Sequence, residues 1–152
     1  MYSAKLKVGI EGLNFDAAHY TKGSEGKCMN IHGHTFRLSV EVEGEINQET
    51  GFVIDFTILK RIVKNIIDEY DHKLIIPRKD YEKTMLRGAF RSDIKIIDFP
   101  EASTEYIALD IARKIYEKIN MPVKVKLYEG LSNYVVVEFK NNGSNNMGDD
   151  MV

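Results

Sequence analysis

Apolar positions recur along this chain with two different spacings, and the change of spacing divides it into elements. Leu6, Val8 and Ile10 alternate with other residues; Leu13, Phe15, Ala17 and His19 alternate again, one step out of phase. A period of two marks a strand with one buried face. The phase change falls around Gly12 and predicts a bulge or kink there. A second strand is predicted over 31–45, where Phe36, Leu38, Val40 and Val42 share one face and Arg37, Ser39, Glu41 and Glu43 the other. The segment GEINQETG that follows reads as a loop. The period then lengthens. Phe56, Leu59, Ile62, Val63, Ile66, Ile67 and Tyr70 form a stripe at helical spacing and predict a helix from the capping residue Asp55 to about Tyr70. Ile107, Ala108, Ile111, Ala112, Ile115 and Ile119 predict a second helix from Ser103 to about Ile119. Its first turn carries Glu105, where the helix dipole favours an anion. Two final strands are predicted over 123–129 and 133–140, joined by a hairpin connection at GLSN.

These elements predict one α+β domain over residues 1–140, a four-stranded antiparallel sheet with two helices packed on one face. The polar tail 141–152 is expected to be disordered. Residues 74–99 stay outside the pattern. A connection this long inside a compact domain is often functional or an interface. It carries Arg78, Lys79, Lys83, Arg87, Arg91 and Lys95 against Asp80, Glu82, Asp93 and Asp98. Those basic residues either help to hold an anionic ligand or only solvate the surface.

Composition narrows the function. A chain of 152 residues has the length of one domain, and 43% hydrophobic with 29% charged residues is a soluble, globular profile. The net charge of −2 speaks against a general nucleic-acid or anionic-membrane binder. No apolar run approaches the ~18 residues of a membrane span, and MYSAKLKVGIEG lacks a signal-peptide core. Cys28 is the only cysteine, which excludes an intrachain disulfide and an all-cysteine zinc site. A lone thiol fits a reducing cytoplasm.

The four histidines carry the chemistry. His32 and His34 lie at i and i+2 of a strand and continue the face of Phe36, Leu38, Val40 and Val42. By themselves they are either a hydrogen-bonded pair at a strand end or two metal ligands. His19 ends the preceding strand in phase with Phe15 and Ala17, so a hairpin would bring all three imidazoles to one side. Three neutral imidazoles with one open position are the composition of a catalytic zinc site. Cys28, four residues before His32, is an inert loop thiol, a fourth ligand, a nucleophile or an acid–base group. Asp71 and His72 are either a poised acid–base pair or a helix-end cap. Glu129 is a carboxylate in phase with Val123, Val125 and Leu127. It needs a partner, either a salt bridge or an N–H pair on a ligand. Thr104 and Glu105 read as first-turn helix residues.

Together, FDAAH (15–19), CMNIHGH (28–34), TGFVIDF (50–56), DHK (71–73), STE (103–105) and YEG (128–130) resemble the 6-pyruvoyltetrahydropterin synthase and 6-carboxytetrahydropterin synthase family, in order, over roughly residues 8–139. The resemblance implies the ββααββ tunnelling fold, assembled as trimers or hexamers with active sites between subunits. It implies zinc on His19, His32 and His34, and Cys28 as the proton acceptor. Asp71 and His72 become its acid–base partners from a neighbouring subunit. Glu129 becomes the pterin anchor, in a pocket lined by Thr104 and Glu105. The implied substrate is the small molecule 7,8-dihydroneopterin triphosphate, with no nicotinamide or flavin required. The Cys-x-x-x-His-Gly-His spacing resembles the 6-carboxy enzymes of the queuosine and archaeosine route. The 6-pyruvoyl enzymes space the cysteine farther away. An aldolase-like type places a glutamate just before His-Gly-His, where this chain has Asn30 and Ile31.

Overall fold

Alternation builds the centre of the sheet. In a computed structural model, which describes residues 1–23 and 26–142, β1 (Leu6–His19) and β2 (His32–Gly44) form an antiparallel hairpin. Their register slips between Ile10 and Leu13, and Gly12 at the slip has φ 80°, a conformation open to glycine without cost. The predicted bulge is therefore present, and it turns Leu13, Phe15, Ala17 and His19 onto the face that Ile10 already occupies. β5 (Val123–Glu129) pairs with β2, and β6 (Asn133–Phe139) pairs with β5, both antiparallel.

The helices cover that apolar face. Asp55 caps α1 (Phe56–Ile67) by accepting from the Thr57 N–H at 2.7 Å. Ser103 caps α2 (Thr104–Ile119), and Asn120 closes it in a left-handed conformation. Leu59, Val63 and Ile67 from α1 and Ile107, Ile111 and Ile115 from α2 are buried against Phe15, Phe36, Val40 and Val125. Each such side chain contributes about 1.5–3 kcal/mol by leaving water.

Two expectations are corrected. The sheet has six strands, not four, in the order β4-β3-β1-β2-β5-β6. The extra strands, β3 (Leu74–Pro77) and β4 (Ile94–Ile97), come from the 74–99 connection. They run parallel, β3 to β1 at Ala18 and Leu74, and β4 to β3 along their length. The sheet is therefore mixed. LIIP is buried at all four positions, so it has no alternation to betray it. The first helix ends at Ile67 rather than near Tyr70. A tight turn follows, with the Tyr70 N–H on the Ile67 carbonyl and His72 at φ 58°. Of the predicted tail, residues 143–152 lie outside the described residues. Among the described residues no helix is long and apolar enough to cross a membrane.

Candidate active site

The β1–β2 register sets His19 opposite His32 and Ala17 opposite His34. Because alternate residues share a face, all three imidazoles project toward the helix side at one end of the hairpin. One ring nitrogen from each lies within 4.8 Å of the others. Ring centroids are 4.7–5.2 Å apart with steep interplanar angles, so the rings meet edge to face. Phe36 lies at the base of the cluster, 5.7 Å from His19 and 5.8 Å from His34, and stacks on Phe15.

Backbone carbonyls orient two of the rings. His19 Nδ1–H donates to the Ala102 carbonyl at 2.7 Å, and His32 Nδ1–H donates to the Asn30 carbonyl at 2.7 Å. Each bond leaves Nε2 with its lone pair free. His19 is 1% exposed, and its Nε2 has no partner among the described residues. Burial lowers its pKa and keeps the ring neutral, as a metal ligand must be. His34 Nε2 is also buried without an aligned hydrogen bond, although Glu129 Oε1 approaches it at 3.0 Å. Two orphaned buried nitrogens in a set of three imidazoles fit a divalent ion.

Glu129 reaches this cluster through register. It pairs with Phe36 across β2 and β5, one alternate position beyond His34. Its other oxygen accepts from the Thr104 hydroxyl at the start of α2. Thr104 is therefore part of the site. Glu105, the next residue, is exposed in the first turn, away from this contact.

Cys28 stands in a short 3-10 turn, Lys27–Met29, between β1 and β2. Its carbonyl accepts from the Thr21 N–H at 2.8 Å, and its side chain lies on Gly23, where an added Cβ would come 3.0 Å from the sulfur. Cys28 is not in the three-ligand group. Asn30 joins this turn to the cluster. Its amide donates to the Lys27 carbonyl while its own carbonyl holds His32.

Asp71 and His72 stand apart within the chain. Asp71 Oδ2 lies 2.9 Å from His72 Nδ1, and Asp71 Oδ1 accepts from the Asp16 N–H at 2.9 Å. Partial burial works to raise the Asp71 carboxyl, but the Asp16 N–H and the His72 ring outweigh it and hold the carboxyl below its ordinary value. Asp16 and Thr35 alternate with Ala17 and His34, so they occupy the opposite face of the hairpin. His72 and the triad member His34 both line a groove of 690 Å³, together with Gly33, Thr35, Leu86 and Phe90. The structure thus joins the histidine triad, Glu129 and Thr104, sets Cys28 on the adjoining turn, and leaves Asp71–His72 outside. Sequence reasoning missed Asn30, Ala102 and Asp16, which act here through backbone groups and carry no side-chain signal.

The mixed sheet gathers three imidazoles able to hold a metal ion, and a carboxylate, at the lip of its helix-covered face, within an α+β fold. A family model described as 6-pyruvoyl tetrahydropterin synthase matches residues 10–140, and the chain belongs to that family. A protein of Haemophilus influenzae named 6-carboxy-5,6,7,8-tetrahydropterin synthase is 35% identical over 119 residues, covering 75% of this chain and 82% of its own. A Pyrococcus furiosus protein named dihydroneopterin monophosphate aldolase is 39% identical over 124 residues, covering 80% and 88%. A crystal structure of the Plasmodium vivax 6-pyruvoyl tetrahydropterin synthase superposes with a TM-score of 0.74 at 24% identity, over 91% of this chain and 99% of that one, a likeness of fold.

Proposed function

We propose that this protein is a zinc-dependent lyase that converts 7,8-dihydroneopterin triphosphate and water to 6-carboxy-5,6,7,8-tetrahydropterin, releasing acetaldehyde and triphosphate. Its setting would be the cytoplasm and its product a precursor of queuosine or archaeosine. The observation that carries this reading is the three-histidine cluster set against the Glu129 carboxylate.

His19, His32 and His34 would hold the zinc, which when bound supplies Lewis-acid polarisation of the substrate's side-chain oxygens. Glu129 accepts the 2-amino and N3 hydrogens of the pterin, a paired contact suited to a carboxylate. Thr104 fixes the orientation of that carboxylate, and Glu105 lines the pocket mouth. Cys28 accepts a proton from the substrate side chain. His72, oriented by Asp71, returns one. Asp71 and His72 would serve the site of a neighbouring copy in a trimer or hexamer. A non-catalytic, metal-stabilised oligomer would have no use for Cys28, Asp71 and His72.

Side-chain cleavage is the second reading, favoured by the identity to the aldolase of Pyrococcus furiosus. Asn30 and Ile31, where that type places a glutamate, speak against it. Incubating zinc-loaded protein with 7,8-dihydroneopterin triphosphate, without redox cofactor, and weighing the products separates the two. A 6-carboxy product with acetaldehyde is expected. A 6-hydroxymethyl product establishes cleavage, a 6-pyruvoyl product establishes triphosphate elimination, and no turnover overturns all three.

A further inference from the structure

The 74–99 connection does more than add two strands. Of its basic residues, Arg78 is held by Asp98, Arg91 by Asp93 and Lys95 by Glu69. Lys79 and Lys83 are sorted differently. They stand on the 3-10 segment Arg78–Lys83 and line a cavity of 290 Å³ with Tyr20, Lys22, Met29, Asp80 and Glu101.

Three residues of that lining are sequence neighbours of the candidate site. Tyr20 follows His19, Met29 follows Cys28, and Glu101 precedes Ala102, whose carbonyl orients His19. Consecutive Cα atoms are about 3.8 Å apart, so each wall begins one residue from a site element. The wall is fixed in place. Tyr20 donates to Asp80 at 2.5 Å, and the Thr84 hydroxyl donates to the Asp80 carbonyl at 2.8 Å. Burial and Asp80 push the Tyr20 hydroxyl up to about 12, so it stays a donor.

Its lining carries Lys22, Lys79 and Lys83 against Asp80 and Glu101, a net charge of +1, and Asp80 is already taken up by Tyr20. Glu101 takes both Lys22 at 3.3 Å and Lys79 at 3.1 Å, one carboxylate between two ammonium groups. Lys83 has no ion pair among the described residues. Lys22 and Lys79 remain open to solvent, with side chains 76% and 49% exposed. A chain of phosphates offers a separate oxyanion to each ammonium, and Glu101 holds two of the three near their positions beforehand.

We propose that this cavity is the phosphate subsite of the candidate site, and that Lys22, Lys79 and Lys83 bind the polyphosphate chain of the substrate. The proposal rests on the triphosphate reading for its substrate, but its binding test stands apart from pterin turnover. Binding of inorganic triphosphate to the metal-loaded full chain is measured by calorimetry for wild type, for Lys79→Ala/Lys83→Ala, and for a control, Lys60→Ala/Lys118→Ala, on the exposed helix surfaces. Losing two partly exposed charge-assisted contacts weakens binding by roughly tenfold or more. The control matches wild type, and all three keep their metal content and melting temperature. With 7,8-dihydroneopterin triphosphate the lysine variant loses through KM, not kcat. Equal binding of inorganic triphosphate by wild type and lysine variant, or none by wild type, overturns the subsite. Lysine-dependent binding without pterin turnover sustains the subsite while overturning the proposed reaction.

Discussion

Two polar clusters are buried in this fold, and they differ in the kind of atom they leave unpaired. Tyr70 and Asp110, at 0% and 2% exposure, lie between α1 and α2. The Tyr70 hydroxyl donates to one oxygen of Asp110, and Arg113 donates to the other at 2.8 Å. The Lys95 and Lys114 ammonium groups lie over the Tyr70 ring at 4.9 and 5.6 Å, and both pair with Glu69. Among the described residues that first cluster leaves one donor, Arg113 Nε, unpaired. The histidine cluster, comparably buried at His19, leaves the lone pair of His19 Nε2 without a partner and His34 Nε2 with only the unaligned approach of Glu129. The first cluster joins helices, and its carboxylates are spent within the fold. The second is oriented by carbonyls that leave its lone pairs pointing at one another. Polar groups that a fold buries, orients and then leaves unsatisfied mark a place for a ligand.

The contrast can be broken by substitution. Cys28→Ala should lower turnover by about 10²–10⁴-fold, the usual worth of a general acid or base. Zinc content and oligomer size should hold, and a turnover that survives sinks the assigned role. His19→Ala/His34→Ala should leave protein that retains little zinc in elemental analysis. Added zinc should raise the wild-type melting temperature and not that of the variant. Asp110→Ala should do the reverse. It strands the Tyr70 hydroxyl and costs about 2 kcal/mol, a fall of roughly 4–8 °C, with zinc content intact. A variant that loses zinc along with stability would erase the distinction between the clusters.

The smallest effect sharpens the comparison by pH. Burial works to raise Glu69, but Lys114 and Lys95 outweigh it and hold its carboxyl below 4.5. A depressed carboxyl contributes stability above its unfolded value and loses it as pH falls through the folded value. Thermal melts of Glu69→Gln should therefore show a flatter acid limb below about pH 4.5. Zinc retention should also fall on acidification, because the imidazole ligands must be neutral to hold the ion.

Four of the six strands were legible because one face of the sheet there is wet. β1, β2, β5 and β6 alternate, and the bulge at Gly12 announced itself as a phase change. β3 did not, since LIIP is apolar on both sides and parallel pairing leaves no hairpin turn to find. α1 overran by a turn because Tyr70 is buried and on the stripe even though it is no longer helical. The triad and Glu129 were legible as polar residues in apolar phase. The separation of Asp71–His72 from them was not, because it depends on which edge of β1 the chain returns to after α1. Nor was the sorting of the basic residues between ion pairs and an open cavity, which needed the 3-10 segment in three dimensions.

The bond from His19 to the Ala102 carbonyl spans 83 residues of sequence. A hairpin of β1 and β2 can form early from local contacts, and it already sets the three imidazoles on one side. Loop closure of that length must come before the ring of His19 is held in one tautomer. Until the segment ahead of α2 docks, a nascent chain presents three loose histidines with no selected nitrogen. The orientation of the centre thus depends on a long-range closure, and Glu129 joins it through the still wider sequence separation of its pairing with Phe36.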